Sequence, residues 1–171
     1  EFERIELDVR IENVDRRASI EKMTASKDEV RPGEEVELVL RMRHREGGAL
    51  FFERIRVRVP DDAPAGDFRV LVTGGDNVAA DVATPIDMLD TPALYDAFYK
   101  STELVALVPT GRVNVDMDGR LLRNLPLSAV ARLARSPSAV QVKIHPVSEK
   151  VRRDVPYVVA GVGQATLRVV R

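Results

Sequence analysis

Apolar and polar residues alternate along most of the first half of the chain, the pattern of β-strands that bury one face. Residues 30–42 are the clearest example, because the positions between their apolar residues are mostly charged. The apolar positions of this stretch are Val36, Leu38, Leu40 and Met42. Such a strand needs a second apolar layer over it, so the pattern predicts one half of a β-sandwich.

A proline and a glycine near the start of this stretch come before its alternating residues, which begin at Glu35. Pro32 fixes φ at the value that the second position of a turn requires, and Gly33 can adopt the positive φ that follows in a type II turn. The strand is therefore predicted to begin after a tight turn.

The same alternation predicts further strands in the first half of the chain, over residues 3–13, 17–25, 51–59 and 68–73. In the second of these, Ile20 and Met23 are out of strict alternation, which indicates a bulge. Residues 45–48 end in two glycines and predict a hairpin loop. Together these elements predict an immunoglobulin-like antiparallel β-sandwich over residues 1–76, without the tryptophan and the disulfide of antibody domains.

The second half, residues 77–171, predicts a smaller α+β extension or second subdomain with two short helices. The first helix begins at Thr91 with Pro92 in its first turn, and the second spans residues 126–134. Short strands are predicted at residues 104–108, 112–117, 139–144, 156–160 and 166–170. Some of these C-terminal strands are candidates to complete the sheets of the sandwich.

Composition narrows the classes of function. The 171 residues carry 26 basic and 27 acidic side chains, interspersed, for a net charge of −1, which argues against a nucleic-acid or membrane-surface partner. No apolar run approaches the roughly 20 residues of a membrane span, and the chain has no cysteine. Because it begins Glu1-Phe2 without an initiator methionine, we expect either a processed product or a piece excised from a longer protein, and we favour the excised piece.

The two histidines are the first candidates for chemistry. His44 and His145 would form a metal pair if the fold brought them together. No aspartate or glutamate lies at ligand spacing around either, so we favour two structural histidines at strand ends.

Three serines are candidate nucleophiles, namely Ser101, Ser128 and Ser136. Ser128 lacks the flanking glycines of a hydrolase elbow, and its place at the start of a predicted helix favours a capping role. The acidic pair Asp61-Asp62 and the run 116–119 are interpreted as turns, because neither has the spacing of a calcium loop. Residues 161–163 lack the third glycine of a phosphate-binding loop.

Three arginines at alternate positions, Arg54, Arg56 and Arg58, face one side of a predicted strand. They would suit an anionic polymer, but a solvated sheet face answered by glutamates of a neighbouring strand is the favoured interpretation. The sequence thus predicts no catalytic, cofactor-binding or metal-ligating residue, no cofactor, and no enzyme activity for this chain.

Four stretches resemble a known family. In chain order they are residues 30–36, 59–66, 124–128 and 155–161. They are similar to the region that follows the peptidase domain in bacterial proteins related to the SpoIVB serine peptidases. The resemblance implies an exported or cell-envelope setting and a serine peptidase domain elsewhere in the parent chain, and it transfers no site residue to this one.

The leading functional hypothesis is a non-catalytic accessory module that orients a neighbouring domain or a protein partner through a sheet edge or an apolar patch. The alternative is a carbohydrate- or peptidoglycan-binding β-sandwich, although the chain has no tryptophan to stack on a sugar ring. A hydrolase that uses Ser128 is the third and least supported hypothesis.

Overall fold

The described part of the protein is built almost entirely from β-strands. The computed structural model describes residues 15–78, 98–117, 120–133 and 142–170. The strands are β1 (Arg17–Ala25), β2 (Glu29–Val30), β3 (Glu35–His44), β4 (Leu50–Arg58), β5 (Gly66–Gly74), β6 (Glu103–Met117), β7 (Arg120–Pro126), β8 (Val142–Asp154), β9 (Val158–Ala160) and β10 (Val162–Val169). A 3-10 turn, Gly75–Asn77, follows β5, and one α-helix, α1 (Leu127–Leu133), follows β7.

The strands form two sheets. Sheet A has four strands in the order β4-β3-β1-β9, and sheet B has six, in the order β2-β10-β5-β6-β7 with β8 also paired to β6. Neighbouring strands are antiparallel except for the parallel pairs β1–β9 and β2–β10. The prediction of a mainly β protein is confirmed, and the two sheets have a sandwich-like arrangement.

One apolar core lies between the two sheets. The inward residues predicted for β3 are confirmed, since each is at most 1% exposed. Sheet B contributes inward residues from β5, β6 and β10 to the same cluster. The largest fully buried side chains include Phe68, Leu38, Leu40, Met42, Leu104 and Leu167. Closure of the two period-two faces over each other therefore buries the hydrophobic surface of the fold.

The predicted turns around β3 are also confirmed. The Glu34 N–H donates to the Arg31 carbonyl at 3.1 Å, and Gly33 has φ +80°, as a type II turn requires. The β3–β4 connection is a hairpin closed by a bond from the His44 N–H to the Ala49 carbonyl. The bulge predicted in β1 lies between Ile20 and Lys22, where the register against β3 shifts.

The two C-terminal strands pair with strands from the first 76 residues. Strand β9 pairs with β1 in sheet A, and β10 lies between β2 and β5 in sheet B. Val159, Leu167 and Val169 from these strands are buried in the main core. The division of the chain after residue 76 stays a prediction.

Strand β6 differs most from the prediction. Two short strands, residues 104–108 and 112–117, were expected, whereas β6 is one 15-residue strand with a register shift between Pro109 and Val113. A proline is tolerated at such a bulge because the ladder is already interrupted there. The Thr110 hydroxyl donates to the Val147 carbonyl at 2.9 Å and maintains the link to β8 across the irregularity.

The second half of β6 forms a separate unit with its own neighbours. Strand β5 pairs with residues 104–107 of β6, whereas β7 pairs with residues 112–117, and β8 follows both halves. We call residues 112–117, β7, α1 and residues 142–146 the arm. Its small core consists of Val113, Val115 and Val130, with Met117 and Leu125 packed against it.

The helices and terminal strands were predicted with mixed outcome. Helix α1 lies where residues 126–134 predicted a helix, whereas β7 and most of β8 were not predicted. The predicted strand at residues 3–13 and most of the predicted helix that begins at Thr91 lie outside the described residues. Phe98 and Tyr99, which were expected in that helix, are described and are not helical.

Candidate functional site

A polar cleft of about 380 Å³ lies where the arm meets the sandwich. Four segments supply its walls: the turn after β4, the bulge of β6, the end of β7 and the middle of β8. The lining residues are Asp61, Asp62, Thr110, Arg112, Asn124, Val147 and Glu149.

The charged groups of this cleft are largely paired with each other or with neighbours. Arg112 Nε donates to Asp62 Oδ2 at 2.7 Å, and this hydrogen bond is the main reason that the pKa of Asp62 lies below its usual range. Arg58 pairs with Asp61 at 3.3 Å. Asn124 has an unusual positive φ of 58°, and its N–H donates to the side-chain oxygen of Asn114 at 2.9 Å. The cleft is therefore a joint whose polar groups connect the arm to the sandwich.

Gly111 allows this joint to close. A Cβ at this position would lie 2.0 Å from the Asp62 carbonyl oxygen, which is closer than non-bonded atoms approach. We expect Gly111→Ala to lower the free energy of unfolding by about 2 kcal/mol, because the backbone of the turn has to move. Urea denaturation measures the loss, and a variant as stable as the original would show that the joint yields without cost.

A second cluster lies at the end of the core, around Tyr157. The phenol donates to Glu53 Oε1 at 2.8 Å, and Arg153 pairs with the other carboxylate oxygen at 3.0 Å. Burial first, and then the bond to Glu53, raise the pKa of Tyr157, so the phenol stays protonated as a donor. Arg153 also donates to the Arg54 carbonyl, which lies on edge strand β4. This cluster closes the sandwich between β4 and β8.

The histidines are not brought together by strand pairing. His44, at the end of β3, stacks on Phe51 with ring centroids 4.4 Å apart and meets Tyr157 edge-on at 5.8 Å. His145 is an exposed residue of β8 in the other sheet, opposite Asn114. His44 thus lies at a strand end, as expected, and packs on aromatic rings, whereas His145 lies within β8 and the expectation of a strand end there is wrong.

The serines, aspartates and glycines singled out from the sequence lie apart. Ser101 is in the turn before β6, and Ser128 is exposed in the first turn of α1. Gly161 joins β9 to β10 with φ +83°. Asp116 lies in β6, while Asp118 and Ser136 are outside the described residues.

The arginine row of β4 faces the solvent side of sheet A, as predicted. Glu37 on β3 is the partner of two of its members, with N–O distances of 3.6 Å to Arg54 and 3.7 Å to Arg56. The expectation that glutamates of a neighbouring strand form ion pairs with the arginine row is confirmed for these two arginines.

The arm exposes apolar side chains beside its small core. Leu122 and Ile144 stand opposite Val115 on the two flanking strands and therefore share its face. They are 39% and 51% exposed, and Leu127 at the start of α1 is 51% exposed. We call Leu122, Leu127 and Ile144 the arm patch. Neither the arm patch nor the cleft was predicted, because both depend on the pairing of β7 and β8 with β6.

Comparison with known protein families, with curated proteins and with solved structures finds no match to this chain. Within the described residues, no helix is long and apolar enough to cross a bilayer. The same residues contain no group of three or more acidic or histidine side chains arranged to hold a metal ion.

Proposed function

We propose that this chain is a non-catalytic accessory module, immunoglobulin-like in its sandwich, that holds or orients a neighbouring domain or a protein partner. The observation that supports the proposal best is the arm patch. Three large apolar side chains of the arm, Leu122, Leu127 and Ile144, are 39–51% exposed, and Leu122 and Ile144 share the face of the buried Val115. Apolar side chains grouped in this way are typical of a surface that becomes buried on association.

The setting of the proposed module comes from the residue resemblance. Its similarity to the region after the peptidase domain of SpoIVB-related proteins favours an exported or envelope protein, with the partner domain in the same or a neighbouring chain. The cleft supports the proposal, because the Arg112–Asp62 pair attaches the arm to the sandwich and so fixes the direction in which the arm presents its patch.

Site-specific photo-cross-linking in cells that produce the full parent protein tests this function. A photoreactive residue at position 144 is expected to give an adduct with a protein domain, and the adduct should decrease at least fivefold when Leu122→Ser is added. The matched control is the same photoreactive residue at Arg69, an exposed position on β5 of sheet B. Equal adducts from both positions, or none from position 144, would count against the proposal.

The alternative proposal is a carbohydrate- or peptidoglycan-binding sandwich. It is favoured by one observation, the 66% exposed ring of Phe52 on the outer face of sheet A, since exposed rings stack on sugar faces. Cosedimentation of the protein with peptidoglycan, lost in Phe52→Ala, would support this alternative.

A further inference from the structure

The outer face of sheet A carries more positive charge than its carboxylates balance. Arg41 and Arg43 on β3 both pair with Glu21 of β1, at 3.2 Å and 2.5 Å. On the neighbouring strand Arg54 and Arg56 both pair with Glu37. Each carboxylate is thus shared by two guanidinium groups, and every guanidinium carries five N–H donors.

The pairing is loose where it involves β4. The side chains of Arg54 and Arg56 are 68% and 77% exposed, and their 3.6–3.7 Å distances to Glu37 are longer than those of charge-assisted hydrogen bonds. With Lys22, the central face has five basic side chains against two acidic ones, a local charge of +3 in a chain whose net charge is −1. These arginines have donors to offer to further anions.

An apolar depression lies among these basic side chains. It measures about 260 Å³ and is lined by Lys22, Thr24, Val39, Arg41 and Phe52. Phe52 stands directly opposite Arg41, and Arg54 directly opposite Val39, so aromatic and aliphatic surface alternates with guanidinium groups across the two strands.

We propose that this face, the acidic-segment face, binds an extended acidic segment of a partner protein. An apolar side chain of the segment lies against Phe52 and Val39, and carboxylates on either side of it contact the two arginine pairs. Side chains that point to one side of an extended segment are about 7 Å apart, which is also the spacing of Arg41 from Arg43 and of Arg54 from Arg56 along their strands. Guanidinium groups bind carboxylates through two parallel hydrogen bonds.

Other anions fit this surface less well. A nucleic acid would meet a chain of net charge −1 and sequence pI about 6.2, whereas nucleic-acid-binding domains are usually basic overall. A highly charged polysaccharide or polyphosphate would use the arginines but would leave Val39 without a partner. The inference rests on the proposed function, since it names the partner class as protein, but it uses a surface separate from the arm patch.

Fluorescence anisotropy with a labelled peptide tests the inference. The probe is an eight-residue peptide in which glutamates alternate with apolar residues, and the control peptide has glutamine at every glutamate. We expect the intact chain to bind the acidic probe at least tenfold more tightly than the control, and its affinity to fall at least fivefold between 50 mM and 500 mM NaCl.

Variants locate the contact. Phe52→Ala and the double variant Arg41→Ala/Arg54→Ala are each expected to weaken binding at least tenfold, whereas Arg69→Ala, which removes an exposed arginine from the other sheet, should change it less than twofold. All of these positions are exposed, so circular dichroism should show unchanged folding.

Several results would overturn the inference. They are equal binding of both peptides, equal affinity of Arg69→Ala and the double variant, tighter binding of heparin or single-stranded DNA than of the probe, and salt-sensitive self-association without peptide binding. The proposed function is separable, because cross-linking from position 144 together with a failed titration would reject the acidic-segment face alone. Loss of cross-linking with a successful titration would reject the arm patch alone.

Discussion

Phe68→Ala is expected to lower the free energy of unfolding by about 4 kcal/mol. Phe68, on β5, is 1% exposed and is the largest fully buried side chain among the described residues. Truncation removes its ring from the main core and leaves a cavity, because the two sheets are fixed by their hydrogen bonds and collapse only partly. Urea denaturation followed by circular dichroism measures the effect as a shift in midpoint at unchanged slope.

Phe52→Ala is the matched control for this prediction. It makes the same chemical change on a strand of sheet A, but Phe52 is 66% exposed and should contribute less than about 0.5 kcal/mol. Because 4 kcal/mol is a large share of the stability of a typical domain, Phe68→Leu provides a milder variant with an expected loss of about 1.5 kcal/mol. Similar losses for Phe68→Ala and Phe52→Ala would contradict the assignment of the core.

The strands that could be predicted from the sequence are those that bury one face and alternate between apolar and polar residues. In β3, every second residue faces the core, and Pro32 with Gly33 defines its start, so the strand, its turn and its inward face could all be predicted. Strand β7 was missed because its residues, Arg120–Pro126, do not alternate between buried and exposed positions. Strand β8 was missed beyond residue 144 because Pro146 and its polar neighbours resemble a loop.

The site residues could be predicted only where they lie on one strand or on adjacent strands. The arginines of β4 share a face by their spacing alone, and a glutamate partner on the next strand was foreseen. The partner of Arg112 in the cleft is 50 residues away in the chain, and that of Arg152 in β8 is 49 residues away. No local pattern encodes such pairs, because they arise when the bulged β6 is placed beside β8 and the turn after β4.

The two proposed surfaces differ in chemistry and would contribute differently to binding a partner. The arm patch is apolar and lies on β7, α1 and β8, beyond the part of β6 that pairs with β5, whereas the acidic-segment face is charged and lies on the three strands β1, β3 and β4. Apolar burial contributes most of the affinity of a contact, while charge complementarity contributes mainly to specificity and association rate. A partner that used both would therefore be selected by sheet A and retained by the arm.

Arg152→Met is the second variant with a large expected effect, because it leaves a buried carboxylate without its cationic partner. Glu103 is 4% exposed and accepts two hydrogen bonds from Arg152 Nη2, at 2.8 Å and 3.0 Å, and one from the Lys100 N–H at 3.0 Å. Arg152 also packs over the Tyr99 ring, with its guanidinium carbon 4.8 Å from the ring centroid. We expect a loss of about 3 kcal/mol at pH 7, measured by urea denaturation, since an unpaired buried charge is costly.

A surface pair provides the control for this variant. Arg58→Met makes the same substitution in the pair with Asp61, whose side chains are 65% and 80% exposed. It should change the free energy of unfolding by less than about 1 kcal/mol. The double variant Glu103→Leu/Arg152→Met should recover most of the loss, because no charge is then left buried. Failure of the double variant to recover stability would indicate that packing of Arg152 on Tyr99, not its charge, supports this region.

The stability loss in Arg152→Met should depend on pH, which a loss of packing alone would not produce. Burial opposes the ionisation of Glu103, but the bonds from Arg152 and the Lys100 N–H outweigh it and hold the pKa below its usual range. A carboxyl whose pKa is lower in the folded than in the unfolded state stabilises the fold above the unfolded value of about 4.3 and loses this contribution as pH falls. The difference in stability between the original chain and Arg152→Met should therefore be largest near pH 7 and shrink below about pH 4. A difference that stays constant down to pH 3 would exclude the charge of Glu103 as its cause, since that charge is what the acid removes.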